Sequence, residues 1–247
     1  MKISVITVAF NAENTIRDTI ESVLAQDFGE VEYIVVDGKS TDATAEIVKS
    51  YGDRIARFIS EPDQGIYDAM NKGIQLATGE VIGLLNADDL YASIDVLSQV
   101  MDTFLSSGSD AVYGDLQYFD SGTGRVTRNW RAGGYRSGIF LWGWMPPHPS
   151  FFIRRSWYQK HGGFRLDMGT AADYELMLRM IHKYSAKLAY VQKVLVRMRA
   201  GGVSNVSVKN RLAANRNDRR AWQLNGIRPY PVTILLKPFR KILQFIR

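Results

Sequence analysis

The chain has 247 residues, enough to bury one sizeable core, with a hydrophobic content of 46% and a charged content of 23% that fit a soluble globular protein. It contains no cysteine, which excludes disulfides, thiolate metal sites and a cysteine nucleophile. The net charge of +6 belongs to one end: residues 209–247 carry ten Lys and Arg against one Asp, whereas residues 1–208 carry 21 against 24 acids, so the tail points to an anionic partner, membrane or nucleic acid.

A β-branched run at residues 3–9 predicts a strand starting almost at Met1. No apolar run with a small-residue cleavage site precedes it, and nowhere do the ~20 apolar residues of a membrane span occur together. A cytoplasmic protein is expected. Residues 12–25 then place Ile16, Ile20, Val23 and Leu24 at helical spacing. A second apolar run at 31–36 closes on Asp37-Gly38, and Thr41-Asp42 opens a helix carrying Ala45, Ile47 and Val48. Residues 54–60 read as a third strand, 61–65 as a turn-rich loop and 66–77 as a helix with Gly79 beyond its end. The buried-type strand at 81–85 ends at Asn86-Ala87-Asp88-Asp89, ahead of a helix over 94–104. Such alternation predicts an α/β domain with a largely parallel sheet.

From about residue 110 the rhythm changes. Residues 111–119 and 125–130 read as antiparallel strands joined by Ser121-Gly122-Thr123-Gly124, and 133–149 as Gly- and aromatic-rich loop with one short helix. A helix over 174–184 precedes two short strands at 188–191 and 194–198. At the end, Phe239, Ile242, Leu243 and Ile246 share one helical stripe beside Lys237, Arg240, Lys241 and Arg247, the pattern of a basic amphipathic helix on a membrane surface, a docked domain face or a dimer contact.

Acids at the ends of predicted parallel strands carry the chemistry, because ligands of open α/β sheets sit beyond the carboxyl ends. Asp37 can hold a base or ribose, or make a turn. The Asp88-Asp89 pair can bind a hard divalent cation, or cap the following helix, although capping needs only one carboxylate. Neither a P-loop nor a dinucleotide glycine loop is present.

Four ordered segments extend these observations. They are residues 3–11 (Ile3-Ser4-Val5-Ile6-Thr7-Val8-Ala9-Phe10-Asn11), 35–44 with Asp37, 61–73 with Asp63, Asn71 and Lys72, and 79–89 with Asp88-Asp89. Together they resemble the family 2 glycosyltransferases of the GT-A fold, over about residues 3–205 and especially small bacterial enzymes of exopolysaccharide and lipopolysaccharide assembly. The resemblance implies a mixed, mainly parallel Rossmann-like sheet flanked by helices. A GT-A domain would fill residues 1–205, with a nucleotide-sugar half at 1–110 and an acceptor half at 111–205, and a basic helical extension would fill 206–247.

It further implies that Thr7, Ala9, Asp37, Asp63, Asn71, Lys72 and Asp88 line the site of a UDP- or GDP-linked sugar donor. Asp89, helped by Asp88, would bind Mg2+ or Mn2+, since Asn86 stands where an Asp-x-Asp pattern has its first acid. Asp173, in Gly169-Thr170-Ala171-Ala172-Asp173-Tyr174-Glu175, matches the catalytic base; helix capping is the other reading, and Glu175 is the fallback base. His148, Trp142 and Trp144 read either as acceptor contacts or as packing, and Gly201 to Asn205 resembles a segment near the diphosphate. The Gln-x-x-Arg-Trp motif of processive synthases is absent.

The expected activity is therefore non-processive, inverting transfer to a glycan or polyprenyl-diphosphate-linked acceptor in surface polysaccharide assembly, at the inner face of the plasma membrane. A catalytically silent nucleotide-sugar-binding partner of another transferase is the first alternative. A nucleic-acid-binding protein is the second; it leaves the acids unexplained, and no nucleic acid is expected as a partner.

Overall fold

The computed structural model describes residues 1–200, 208–230 and 233. Strands β1 (Ile3–Ala9), β2 (Val31–Asp37), β3 (Arg57–Ser60) and β4 (Val81–Asn86) lie side by side, all parallel, in the order β3-β2-β1-β4. They are joined by helices α1 (Ile16–Leu24), α2 (Thr44–Lys49) and α3 (Ile66–Leu76). Every residue of β1 is buried because the sheet is covered on both faces. Ile3, Val5 and Ala9 pack with Ile16, Ile20 and Val23 of α1, while Ile6 and Val8 pack with Ala69 and Met70 of α3. Burial on both faces is what makes these strands read as continuous apolar runs rather than alternating ones.

The second half supplies β5 (Asp89–Tyr91), α4 (Val96–Ser107), β6 (Ala111–Phe119), β7 (Val126–Trp130), β8 (Phe151–Arg154), α5 (Arg155–His161), α6 (Ala172–Met177), β9 (Leu188–Arg199) and α7 (Val208–Leu224). Strand β8 enters antiparallel between β4 and β6, and two reversals return β6 to the direction of β4. Strand β9 pairs with β6 in parallel, β5 closes on β9, and β7 pairs with the far end of β6. The carboxyl ends of β1, β2, β4, β6 and β9 consequently share one edge of the sheet. That edge carries the site.

Several boundaries differ from the pattern in the sequence. Helix α1 starts at Ile16 rather than residue 12, because Asn11 takes a positive φ of 48° and residues 12–15 form a turn first. The two strands expected at 188–191 and 194–198 are one strand: Val191 pairs with Gly114 and Val194 with the adjacent Asp115, so Gln192 and Lys193 bulge out. The helix expected over 174–184 begins at Ala172 and ends in a π-helical turn, Leu178–Lys183. Strands β5 and β8 are too short, at three and four residues, to show a period.

Helix α7 turns Asp218, Ala221, Trp222 and Asn225 inward, at i, i+3, i+4 and i+7. Trp222 is fully buried and its Nε1 donates to the Tyr174 hydroxyl at 3.0 Å, so this part of the extension shares the core of the domain. The amphipathic segment at 238–247 and the Gly201 to Asn205 segment lie outside the described residues. Among the described residues no helix is long and apolar enough to cross a membrane.

Candidate active site

At the β1–β2 corner the backbone brings Ala9 beside Asp37, and the Gly38 N–H donates to the Ala9 carbonyl at 2.9 Å. The Asp37 carboxylate is fully buried. Its Oδ2 accepts from the Ser60 hydroxyl at 2.6 Å and the Ser40 N–H at 3.1 Å, and its Oδ1 accepts from the Ser40 hydroxyl. Gly38 is required by close approach: a Cβ there would lie 2.5 Å from Asp63 Oδ2 and 3.4 Å from the Phe10 ring. Asp63 is itself pinned, its Oδ1 accepting from the Gly65 N–H at 2.8 Å. Phe10 is 65% exposed at the same corner. Ala9, Phe10, Asp37, Gly38 and Asp63 thus form one corner.

Three residues expected at the donor site have other partners. Thr7 is fully buried and accepts a hydrogen bond from the Tyr33 hydroxyl at 3.1 Å, which turns its side chain into the sheet rather than the crevice. Asn71 donates to the Phe164 carbonyl at 2.9 Å and accepts from the Phe164 N–H at 2.8 Å, tying α3 to the acceptor half. Lys72 donates to the Pro62 carbonyl at 2.7 Å and pairs with Glu61 at 2.9 Å, so it holds the 61–65 loop.

The acid pair follows the end of β4. Asp89 is fully buried; Asn86 Nδ2 donates to its Oδ2 at 3.0 Å, and its Oδ1 has no hydrogen-bond partner. Burial, then the neighbouring Asp88 charge, pushes the Asp89 carboxyl well above the usual carboxylate range, with Asn86 and Arg199 opposing. Asp88 is partly exposed and is also raised by burial, against the lowering field of Arg199. Arg199, at the end of β9, donates to Asp18 at 2.5 Å, and its buried Nε has no partner. The unpaired Asp89 Oδ1 and the neighbouring Asp88 carboxylate lie together just beyond the end of β4. Among the described residues no group of three or more His, Asp or Glu side chains converges, so ligands beyond the pair would come from substrate and water.

Asp173, at the start of α6, is partly exposed, and its Oδ1 accepts from the Tyr174 N–H at 2.7 Å. Burial first, and then the nearby Asp173 charge, pushes the Tyr67 phenol well above its ordinary pKa. His148 packs edge-on against Phe164 with ring centroids 5.6 Å apart, and Tyr67 lies 5.3 Å from the same ring. His148 Nε2 is buried without a partner; burial pushes the imidazole below its ordinary pKa, and the Asp173 charge pulls it back. Glu175 has a different role. It is fully buried, pairs with Arg179 through both oxygens at 3.0 Å, and accepts from Asn225 at 3.0 Å. Arg179 in turn caps the carbonyls of His161, Gly162 and Gly163. Glu175 is a structural ion pair, which removes it as the fallback base. Trp144 is buried, with Nε1 donating to the Ala132 carbonyl at 2.7 Å, while Trp142 is 53% exposed.

Tyr118 stands near the end of β6, beside Arg128. Its phenol is raised by burial first, with the charges of both Asp89 and Asp173 adding to the rise against Arg128, whose guanidinium sits 4.5 Å from the ring. Nothing in the local sequence marks Tyr118, since it depends on β8 reversing the chain. Tyr67 was more accessible to sequence reasoning, standing four residues before Asn71 on the same face of α3.

A family model described as "Glycosyl transferase family 2" matches residues 4–171. An uncharacterized glycosyltransferase of Mycobacterium tuberculosis is 35% identical over 182 residues, which cover 72% of this chain and 68% of that protein. A PGL/p-HBAD biosynthesis glycosyltransferase of Mycobacterium bovis is 31% identical over 212 residues, covering 83% of this chain and 80% of that one. Among solved structures, S. aureus TarS (residues 1–349) in complex with UDP-GlcNAc matches with a TM-score of 0.70 at 19% identity, over 91% of this chain but less than two thirds, 65%, of the other. The mannosyltransferase PcManGT from Pyrobaculum calidifontis, in complex with GDP-Man and Mn2+, matches with a TM-score of 0.67 at 19% identity, over 95% of this chain and 68% of the other. At these identities the structural likenesses speak to the fold alone.

Proposed function

The chain belongs to glycosyl transferase family 2 and has the GT-A fold, and from that premise we propose that it moves one sugar from a UDP- or GDP-linked donor to a hydroxyl of a glycan or polyprenyl-diphosphate-linked acceptor, with inversion. The observation that supports this reading is the placement of Asp37 at the end of β2 and of Asp88-Asp89 just beyond the end of β4, on the two sides of β1 at one edge of the parallel sheet. Phe10, Gly38, Asp37 and Asp63 receive the nucleobase and ribose. Ser40 and Ser60 hold the Asp37 carboxylate in place at this corner.

The acid pair fits a divalent cation such as Mg2+ or Mn2+: both ligands are hard oxygens, and the unpartnered Asp89 Oδ1 leaves the pair electrostatically incomplete. Asp88, the more exposed acid, is assigned as the direct ligand, with Asp89 beneath it, reversing the order expected from the sequence. A bound cation supplies Lewis-acid stabilisation of the departing diphosphate. Asp173 takes the proton of the acceptor hydroxyl as that oxygen bonds to the anomeric carbon and the bond to the diphosphate oxygen breaks. The Tyr174 N–H holds one oxygen of that carboxylate for the transfer. One displacement inverts the anomeric configuration. The acceptor in surface glycan assembly places the enzyme at the cytoplasmic face of a membrane.

The test is nucleotide release from a panel of UDP- and GDP-sugars, with and without Mn2+. Asp173→Asn is expected to bind nucleotide as the wild type does and to lose turnover. Full turnover in Asp173→Asn would remove the base assignment. A wild-type chain that binds nucleotide and turns over no donor would support the silent-partner reading instead.

A further inference from the structure

Helix α7 presents its two faces to different surroundings. Inward, Trp222 donates to the Tyr174 hydroxyl at 3.0 Å and Asn225 to Glu175 at 3.0 Å; at the flank Asn217 donates to the Met168 carbonyl at 3.2 Å, and the half-exposed Arg220 pairs with Asp167 at 2.5 Å, so the helix is bolted to the segment that carries Asp173. Outward, Arg216, Arg219, Gln223 and Leu224 are exposed, and Arg228 follows beyond the helix. Where the helix ends, Tyr230 and Trp142 are 50% and 53% exposed and lie against one another, ring centroids 6.0 Å apart. Thr233 Oγ1 donates to the Leu141 carbonyl at 2.6 Å and holds the two segments together there.

We propose that the outward face of α7, with Trp142 and Tyr230, is a docking surface for an anionic lipid bilayer. Charge complementarity is the first support, since Arg216, Arg219 and Arg228 are exposed on and beside this face while the one acid of α7, Asp218, is buried. The second is the kind of apolar surface beside the cations. Tryptophan and tyrosine place an apolar ring body at headgroup level with a polar atom toward water, and an exposed leucine and arginine stems suit the same depth. The ring pair is inclined at 57°, which offers a wedge rather than the parallel faces between which a nucleobase stacks. Because the inward face grips the base-bearing segment, docking by the outward face would set the acceptor side of the crevice at the bilayer. This orientation rests on the glycosyltransferase reading, whereas the docking itself does not.

The experiment is flotation of the full chain with phosphatidylcholine vesicles, with and without phosphatidylglycerol, at low and high salt. The wild type is expected to float with the anionic vesicles at low salt and to be released by salt. The triple variant R216E/R219E/R228E, which spares the Asp167-paired Arg220, is expected to lose partitioning on the order of a hundredfold. W142A/Y230A should weaken it at either salt. Because these side chains are exposed, thermal unfolding should be unchanged, and a melting temperature matching the wild type certifies the comparison. Wild-type flotation that ignores phosphatidylglycerol overturns the proposal. So does a triple variant that floats like the wild type while K237E/R240E/K241E does not, or a wild type that binds poly(U) RNA and no vesicle. Loss of sugar transfer with flotation intact would count against the proposed function and leave this surface standing.

Discussion

Asn71 holds both backbone polar groups of Phe164, donating to its carbonyl at 2.9 Å and accepting from its N–H at 2.8 Å. The clamp joins α3 to the loop whose phenylalanine ring carries His148 on one side and Tyr67 on the other. Gly163 has no Cβ because one would meet Asn71 Oδ1, so the amide and the glycine are matched. Asn71→Ala leaves a carbonyl and an N–H of Phe164 unpaired, which costs about 1–3 kcal/mol for each group that water does not reach. The expected outcome is a lowered urea midpoint and a reduced kcat, with nucleotide affinity unchanged in calorimetry. A weakened nucleotide affinity with normal stability would return Asn71 to the donor site.

Much of the first half is legible in the sequence because its strands are covered on both faces and its helices each expose a stripe. β1, β2 and β4 read as unbroken apolar runs, and Asp37 and Asp88-Asp89 stand at their ends. Asp173 is legible only through family resemblance; alone, it is an acid at a helix start. What escapes the sequence is non-local. Thr7 looks like a loop-edge ligand, yet Tyr33, 26 residues away, claims its hydroxyl. Glu175 looks like a second candidate base, yet Arg179 and Asn225 saturate it. Strand β6 runs to the same edge as β4 only because β8 reverses the chain between them.

Glu175 and Asp173 are two residues apart and should fail in opposite ways. Glu175→Gln strips the charge from a fully buried pair and strands Arg179, a change that costs about 3–5 kcal/mol when one partner of a buried ion pair is lost. Asp173 is partly exposed, so Asp173→Asn should leave the melting temperature nearly unchanged and lower transfer by about 10²–10⁴-fold. Differential scanning calorimetry and a nucleotide-release assay on both variants check this. An unstable Asp173→Asn with residual activity intact would show that its role is helix capping.

His148 gives the fold a pH dependence of known sign. Burial lowers its pKa below the ordinary 6.5, so below that pH the unfolded chain binds a proton that the folded chain resists. Its contribution to stability is full above about pH 6.5 and is lost as pH falls toward the lowered folded value. Burial lowers His182 in the same direction. Urea midpoints measured from pH 7.5 down to pH 5 should therefore fall more steeply for the wild type than for His148→Gln. Parallel curves would mean that His148 titrates as an ordinary exposed histidine.

The buried and exposed members of the acid pair should also separate. Asp89 sits at zero exposure beside Asp88, and burial together with that neighbouring charge disfavours its ionised form. Asp89→Asn removes a carboxylate that the fold tolerates poorly, and Asn86 can still bond to the new side chain. The metal-free protein should then keep or raise its melting temperature. Asp88→Asn acts at the crevice, where a cation would bridge the chain to a diphosphate. With UDP or GDP at about 100 times its dissociation constant, binding stabilises the native state by about 2.7 kcal/mol. Mn2+ should strengthen that effect in the wild type, and EDTA should abolish the gain. In Asp88→Asn the nucleotide shift should be the same with Mn2+ as with EDTA. If Asp88→Asn keeps the Mn2+ response and Asp89→Asn loses it, the buried carboxylate is the direct ligand, and the unpaired Oδ1 of Asp89 must turn toward the crevice when the cation binds.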